Sequence, residues 1–268
     1  MDAAAIDSPF VRQARDPRGV VTLTLARPAS FNALSEGMLA ALQDALDRIA
    51  VDETARAVVI AAEGRAFSAG HDLKQMRADP KLAYYEQLFA QCARMMLSLQ
   101  QVPVPVIAKV QGIATAAGCQ LVAACDLAVA AKSARFAVSG VNLGLFCSSP
   151  SVPLTRNLLR KPAFEMLVTG EFISADEAKE KGLVNRVAES DAPEALDAAV
   201  ESLVAAIVAK PRVAIATGKA LFYRQQGIGE AAAYGDAGQT MAGNMMEPAA
   251  LEGVQAFIDK RKPDWPAG

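Results

Sequence analysis

Residues 102–130 read VPVPVIAKVQGIATAAGCQLVAACDLAVA, and this block restricts the fold more than any other part of the chain. Val106–Val110 is an apolar run of strand length, and Gly112–Gly118 is a loop of small residues. The loop leads into a short helix near Cys119–Ala124, and Asp126–Ala130 is strand-like again. Short buried strands alternating with helices predict an α/β domain. The upstream chain follows the same plan. Val20–Leu25 alternates apolar residues with Thr, and Arg27-Pro28 breaks it. Ser35 opens a helix in which Met38, Leu39, Leu42, Leu46 and Ile49 recur at helical spacing. Ala57–Ala62 reads as a buried strand, Glu63–Asp72 as a loop with two glycines, and Tyr84–Gln101 as a helix.

After Pro162 the pattern becomes helical, over 164–168, 175–181, 195–209, 213–225, 228–245 and 248–261. This predicts a soft boundary near 200, with an α/β core over 1–200 and a helical region over 201–268. The first dozen residues are expected to be loose. No internal repeat is visible.

Composition removes several classes of function. The chain has 268 residues, 27 Lys plus Arg against 29 Asp plus Glu, and a net charge of −2. Nucleic-acid binding needs clustered cations on phosphates, so no nucleic-acid partner is expected. The richest apolar stretch, Leu121–Ala131, is interrupted by Asp126 and falls short of the ~20 residues of a membrane helix. No membrane partner is therefore expected. The opening MDAAAIDSPF lacks a basic-then-apolar pattern, so the expectation is no signal peptide and a cytoplasmic protein.

Cys92, Cys119, Cys125 and Cys147 form no C-x-x-C pair, and His71 is the only histidine. A closely spaced zinc site, a disulfide framework and hence a metal cofactor are not expected. There is no G-x-S-x-G or G-x-G-x-x-G. The interval from Gly64 to Gly70 is one residue too long for a Walker A loop. A hydrolase using Cys147 and His71 would need those two side chains in contact.

Two glycine-bearing loops carry the strongest chemical signal. One is RAFSAGHDLK (65–74), the other VQGIATAAGCQL (110–121). Each follows a strand and leads toward a helix. Amides at a helix start are unsatisfied and sit at the positive end of its dipole. Two that converge would form an oxyanion hole. The alternative is a pair of tight turns that pack helix on sheet.

These loops, with Ala26-Arg27-Pro28, Asn32-Ala33-Leu34, Ala134-Arg135-Phe136-Ala137, Leu167–Gly170, Gly182-Leu183-Val184 and FIDKRKP (257–263), resemble the crotonase superfamily, the enoyl-CoA hydratase/isomerase family, over nearly the whole chain. The Ala-Ala-Gly-Cys-Gln-Leu stretch is most similar to the branch called enoyl-CoA hydratase domain-containing protein, whose mitochondrial members carry a very similar sequence. The resemblance implies a β-β-α spiral core with C-terminal helices that build a homo-oligomer, a trimer or a dimer of trimers. It also implies that the chain binds acyl-CoA thioesters, with coenzyme A part of the substrate and no separate cofactor. Two backbone amides, here those of His71 and Ala117, would hold the thioester oxygen and stabilise an enolate. An imidazole base at His71 is the less favoured role. Ser68, Ala69, Asp72, Leu73 and Lys74 would line the CoA path. Phe257 and Lys260 would touch the adenine and a phosphate, often from a neighbouring subunit, although Lys260 could equally be a solvated helix end. Where relatives often carry a basic residue after Arg-Pro, this chain has Ala29. The segment Met76–Gln91 would shape an apolar acyl pocket.

The resemblance also exposes a departure. Hydratases of the family use two glutamates to position and split water, and those positions hold Gln120 and Gly140. Gln cannot exchange a proton near neutral pH, and Gly has no side chain. Positioned proton transfer gives ~10²- to 10⁴-fold per group. Efficient hydration by the usual route is not expected. Ser139, Asn142, Cys147, Ser148, Ser149, Glu165 and Glu171 are nearby polar groups with no assigned role as a base. The expected function is an enoyl-CoA hydratase/isomerase-like enzyme with atypical proton chemistry. The alternative is a catalytically silent acyl-CoA binder.

Overall fold

In the computed structural model, which describes residues 8–266, two sheets wind around one apolar core. The elements in order are β1 (Val11–Arg15), β2 (Val20–Leu25), α1 (Glu36–Ala50), β3 (Ala57–Ala62), β4 (Ala66–Ser68), α2 (Leu73–Ala78) and α3 (Leu82–Gln101). They continue with β5 (Val106–Val110), β6 (Ile113–Thr115), α4 (Ala117–Ala124), β7 (Leu127–Ala130), β8 (Arg135–Ala137), α5 (Ser148–Asn157) and α6 (Arg160–Thr169). The last are β9 (Ile173–Ser174), α7 (Ala175–Glu180), β10 (Arg186–Val187), α8 (Pro193–Val208), α9 (Arg212–Gln225), α10 (Glu230–Met245) and α11 (Pro248–Ile258).

The larger sheet has the order β1-β2-β3-β5-β7-β10, and the smaller has β4-β6-β8-β9. From β2 through β10 the large sheet is parallel, with β1 antiparallel at its edge. Parallel strands are buried on both faces and so read as continuous apolar runs. That explains why AVVIAA and VIAKV lack alternation. Three times a large-sheet strand turns a corner into a three-residue strand of the small sheet: β3 into β4, β5 into β6, β7 into β8. A helix follows each short strand. This is a β-β-α spiral.

All eight residues of α4 are buried, so it runs through the core and is apolar all round except at Gln120. The Ser35 hydroxyl accepts the Met38 amide at the start of α1, as its position before the helical apolar run predicts.

Three expectations need correction. Val11 and Arg12, within the dozen residues expected to be loose, begin the strand Val11–Arg15, whose register with Val21–Leu25 ties it to the sheet. The loop expected over 63–72 contains β4, and that over 112–118 contains β6 and the first turn of α4. Three-residue strands show no periodicity, and only their neighbours define them. The expectations for residues 1–7, including the absence of a signal peptide, lie outside the described residues. The 200/201 division falls inside α8, whose Leu196, Val200 and Val204 are buried on the core. The following helices bury little. α9 buries only Lys219, α10 no residue, and α11 only Ala249 and Ala256. Among the described residues, no helix is long and apolar enough to cross a membrane.

Candidate active site

β4, β6 and β8 run parallel and adjacent, so the loops after them leave the sheet on one side. Those loops are Ala69–His71, Ala116-Ala117 and Ser139-Gly140. Carboxyl ends of parallel strands are where such folds usually place ligands. Here they open into a 710 Å3 cavity. Phe31, Met76, Phe89, Leu143, Leu145 and Phe146 give it mainly apolar walls.

The first loop is held from below. The Asn32 side chain is fully buried. Its Nδ2 donates to the carbonyls of Glu63 (2.8 Å) and Ala66 (2.9 Å), and its Oδ1 accepts the Arg27 amide. Ser68 is also fully buried. Its hydroxyl donates to the Asn32 carbonyl at 2.9 Å and accepts the Gly70 amide at 3.3 Å. Ser68 therefore braces the loop and does not line the cavity, contrary to the CoA-path expectation. Gly70 has φ +87°, and its carbonyl accepts the Leu34 amide at 2.7 Å. A Cβ on Gly70 would lie 3.0 Å from the Ala117 amide nitrogen. Only glycine combines that backbone with that approach, and the approach brings the His71 loop against the start of α4.

Ala116 precedes α4 with φ 49° and ψ −121°, and no side chain caps the helix. A non-glycine residue at positive φ costs ~1–3 kcal/mol and tends to occur where function demands it. The Ala116 amide is spent on the Ala137 carbonyl at 3.0 Å. Among the described residues, no acceptor takes the amide of His71 or of Ala117. Both residues line the cavity.

The His71 ring is committed elsewhere. Its Nδ1 lies 3.2 Å from the Leu34 carbonyl, which can only accept, so Nδ1 carries the hydrogen. Burial, the larger effect, holds the imidazole pKa below its usual value. The ring stands edge-on to Phe89 at 5.5 Å. A neutral imidazole thus forms part of the cavity wall.

The structure also accounts for the two positions without carboxylates. Gln120 is buried, with 4% exposure, and Oε1 has no hydrogen-bond partner among the described residues. It is not among the residues lining the cavity. Gly140 does line the cavity, but the chain over 145–147 folds back onto it. The Gly140 carbonyl accepts the Leu145 amide at 3.0 Å, and its amide donates to the Cys147 Sγ at 3.2 Å. A Cβ on Gly140 would lie 2.7 Å from that sulfur and would overlap the Leu145 carbonyl. Burial raises the Cys147 pKa, so the thiol stays neutral. Among the described residues, it makes no hydrogen bond with His71. This removes the cysteine-hydrolase arrangement.

Ala69, Asp72, Leu73 and Lys74 line the cavity. The Asp72 Oδ1 accepts the Lys74 and Gln75 amides at 2.9 and 3.1 Å, so this carboxylate caps α2. Phe257 is 85% exposed. Within one chain, neither Phe257 nor Lys260 lines the cavity. Sequence reading missed Phe31 and the Leu143–Phe146 loop as wall residues, because isolated apolar residues in loops carry no periodic signal. Among the described residues, no group of three or more His, Cys, Asp or Glu could hold a metal ion.

The comparisons agree with this architecture. Residues 15–267 match the family model Enoyl-CoA hydratase/isomerase. The chain is 42% identical to enoyl-CoA hydratase domain-containing protein 3, mitochondrial, from Mus musculus, over 98% of this chain and 87% of that protein. A crystal structure of enoyl-CoA hydratase from Mycobacterium smegmatis superposes with TM-score 0.94 at 64% identity, covering 97% of this chain and all of that one. The crystal structure of human enoyl-CoA hydratase domain-containing protein 3 gives TM-score 0.90 at 41% identity, over 96% and 100% of the two chains. The cytoplasmic expectation does not stand, because the curated relatives from mouse, rat, Xenopus laevis and human are all named mitochondrial.

Proposed function

The chain belongs to the enoyl-CoA hydratase/isomerase family, and on that premise we propose that it binds an acyl-CoA thioester and stabilises its enolate through the backbone amides of His71 and Ala117. The observation that carries this reading is the contact of Gly70 with Ala117, 3.0 Å from a virtual Cβ to the amide nitrogen. It brings the loop that ends at His71 against the start of α4, and no acceptor among the described residues takes the amide of His71 or of Ala117, which supports a shared oxyanion site. A donor of this kind is worth about 2.7–4 kcal/mol of transition-state stabilisation. Coenzyme A enters as part of the substrate, with no separate cofactor. Lys74 and the rim of the first loop face the CoA path.

The chemistry is that of a lyase- or isomerase-type family whose two acid positions hold Gln120 and Gly140 here. A second reading, a catalytically silent acyl-CoA binder, is favoured by the closure of residues 145–147 over Gly140. The same reading includes a homo-oligomer, trimer or dimer of trimers. Met241, Met245, Leu251, Val254 and Ile258 on α10 and α11 are exposed in the single chain and would supply its contacts. Phe257 and Lys260 would reach a neighbour's adenine and phosphate.

Calorimetric titration with butyryl-CoA and with free CoA tests the binding. The thioester is expected to bind more tightly than CoA, and Gly70→Ala is expected to erase that difference. Equal affinities would contradict the reading. Exchange of the α-protons of bound butyryl-CoA in heavy water separates the two functions. Acceleration over buffer indicates an enzyme, and its absence with binding retained indicates a binder.

A further inference from the structure

Arg56 and Arg212 are half-buried at the end of the large sheet where β2 and β3 begin, and neither forms an ion pair among the described residues. Arg56 Nη2 donates to the carbonyls of Val208 (3.0 Å) and Lys210 (2.6 Å). Arg212 donates through Nε to the Ala55 carbonyl (3.0 Å) and through Nη2 to the Asp52 carbonyl (3.3 Å). These neutral acceptors take only part of each fork: Nη1 of both guanidiniums donates to no acceptor among the described residues, and the charges remain. Lys210, exposed beside them, forms no ion pair among the described residues. All three line a 640 Å3 cavity that shares no lining residue with the acyl-CoA site.

The charge balance of this cavity can be counted. Arg15 and Arg18 also line it, but they are paired with Asp52 and with Asp16 and Glu201. Glu53 and Glu247 are its two carboxylates, and neither forms an ion pair among the described residues. The three unpaired cations balance these two carboxylates and the surplus carboxylate of the Arg15 and Arg18 pairs, in which two cations face three acids. α9 and α11 both begin in this cavity, at Pro211 and Glu247, with no side-chain cap on either. Each free helix start adds about half a positive charge. The sum is close to one positive charge. Trp265 forms one wall. Its indole N–H is spent on the Ala209 carbonyl at 3.1 Å, and the residue is 37% exposed.

We propose that this cavity binds a small phosphomonoester, with the phosphate dianion among Arg56, Lys210 and Arg212 and the organic group against Trp265. Guanidinium forks suit the tetrahedral oxygens of phosphate. The volume exceeds what a bare phosphate needs. The proposal is independent of the acyl-CoA reading.

Trp265 is the only tryptophan in the chain, so its emission reports on this cavity alone. The full-length protein is titrated with inorganic phosphate and with phenyl phosphate, against sodium chloride at matched ionic strength. Both phosphates are expected to give a saturable change, with phenyl phosphate saturating at about tenfold lower concentration. Lys210→Gln and Arg212→Gln are each expected to raise both midpoints about tenfold or more. No saturable change beyond the chloride control would overturn the proposal. So would midpoints that Lys210→Gln leaves unmoved, which would indicate adsorption of the phenyl ring on Trp265. Lys210 makes no side-chain hydrogen bond among the described residues, so Lys210→Gln decides the matter if Arg212→Gln fails to fold.

Discussion

At Gly140 a single missing side chain changes what the site can do. The space a β-carbon would need is already taken by the Cys147 sulfur and the Leu145 carbonyl. Gly140→Glu is therefore expected not to restore hydratase chemistry. It forces the 145–147 segment away and costs about 1–3 kcal/mol, the usual range for overpacking. Urea unfolding together with a crotonyl-CoA hydration assay checks this. A stable Gly140→Glu protein that hydrates crotonyl-CoA would refute the interlock. That Gln120 and Gly140 carry no carboxylate was legible in the sequence, and their standing as the acid positions is what the resemblance implies. Their surroundings were not legible. A thiol seven residues on that accepts the Gly140 amide has no local signature, and neither does the placement of Gln120 behind the cavity wall. The converse holds at Ser68, which lies in the glycine-bearing loop but braces it from inside.

Among the elements, the weakly buried C-terminal helices are joined to the core by a buried polar pin, besides the Arg212 bonds at the start of α9. Lys219, the only buried residue of α9, donates Nζ to the Leu99 carbonyl (2.8 Å), the Val104 carbonyl (2.9 Å) and Asp126 Oδ2 (2.6 Å). Asp126 also accepts the Val106 amide and the Tyr223 hydroxyl, both at 2.6 Å. Every hydrogen of the ammonium is used, which is what makes a buried charge tolerable. Burial pulls the Lys219 pKa down, and Asp126 opposes that pull. Lys219→Met leaves the Asp126 carboxylate buried without its cation and is expected to cost about 3 kcal/mol. Adding Asp126→Asn should recover part of this. Urea midpoints give the answer, and a single-variant cost below about 1 kcal/mol, the level of an exposed ion pair, would show the pin to be dispensable. Most helices were readable from their spacing, and so were β2, β3, β5 and β7, but α2 and α5 were not foreseen. The short strands β4, β6 and β8 were not, since each is defined by pairing rather than by its own residues. Yet these are the strands that aim the site. Asp126, which in sequence only interrupts an apolar run, proves to be the anchor of a helix some ninety residues away.

For the molecule as a whole, the balance between protonation and folding follows from its one histidine. Burial lowers the His71 pKa below its ordinary 6.5, so folding favours the neutral ring. Its contribution to stability is complete above about pH 6.5 and is lost as pH falls through the folded-state value, because the unfolded chain takes up the proton first. Between about pH 7.5 and 5.5 the wild type should lose more unfolding free energy than His71→Gln, by up to about 1.4 kcal/mol per pH unit. Equal losses would mean that the ring is not buried as described. The fold and its family were legible from motifs spread over nearly the entire chain, because the corner turns and helix starts of the spiral constrain residue types locally. The distance between Phe257 and the cavity was not, since it depends on where α11 packs.

The proposed chemistry requires the amides of His71 and Ala117 to converge on one oxygen, and isotope-edited infrared spectroscopy of a bound thioester labelled at its carbonyl carbon reads that contact directly. The labelled carbonyl band of butyryl-CoA is expected to move to lower wavenumber on binding, and to stay at its free position with Gly70→Ala. A wild-type complex that binds the thioester with an unshifted carbonyl band would contradict the oxyanion hole.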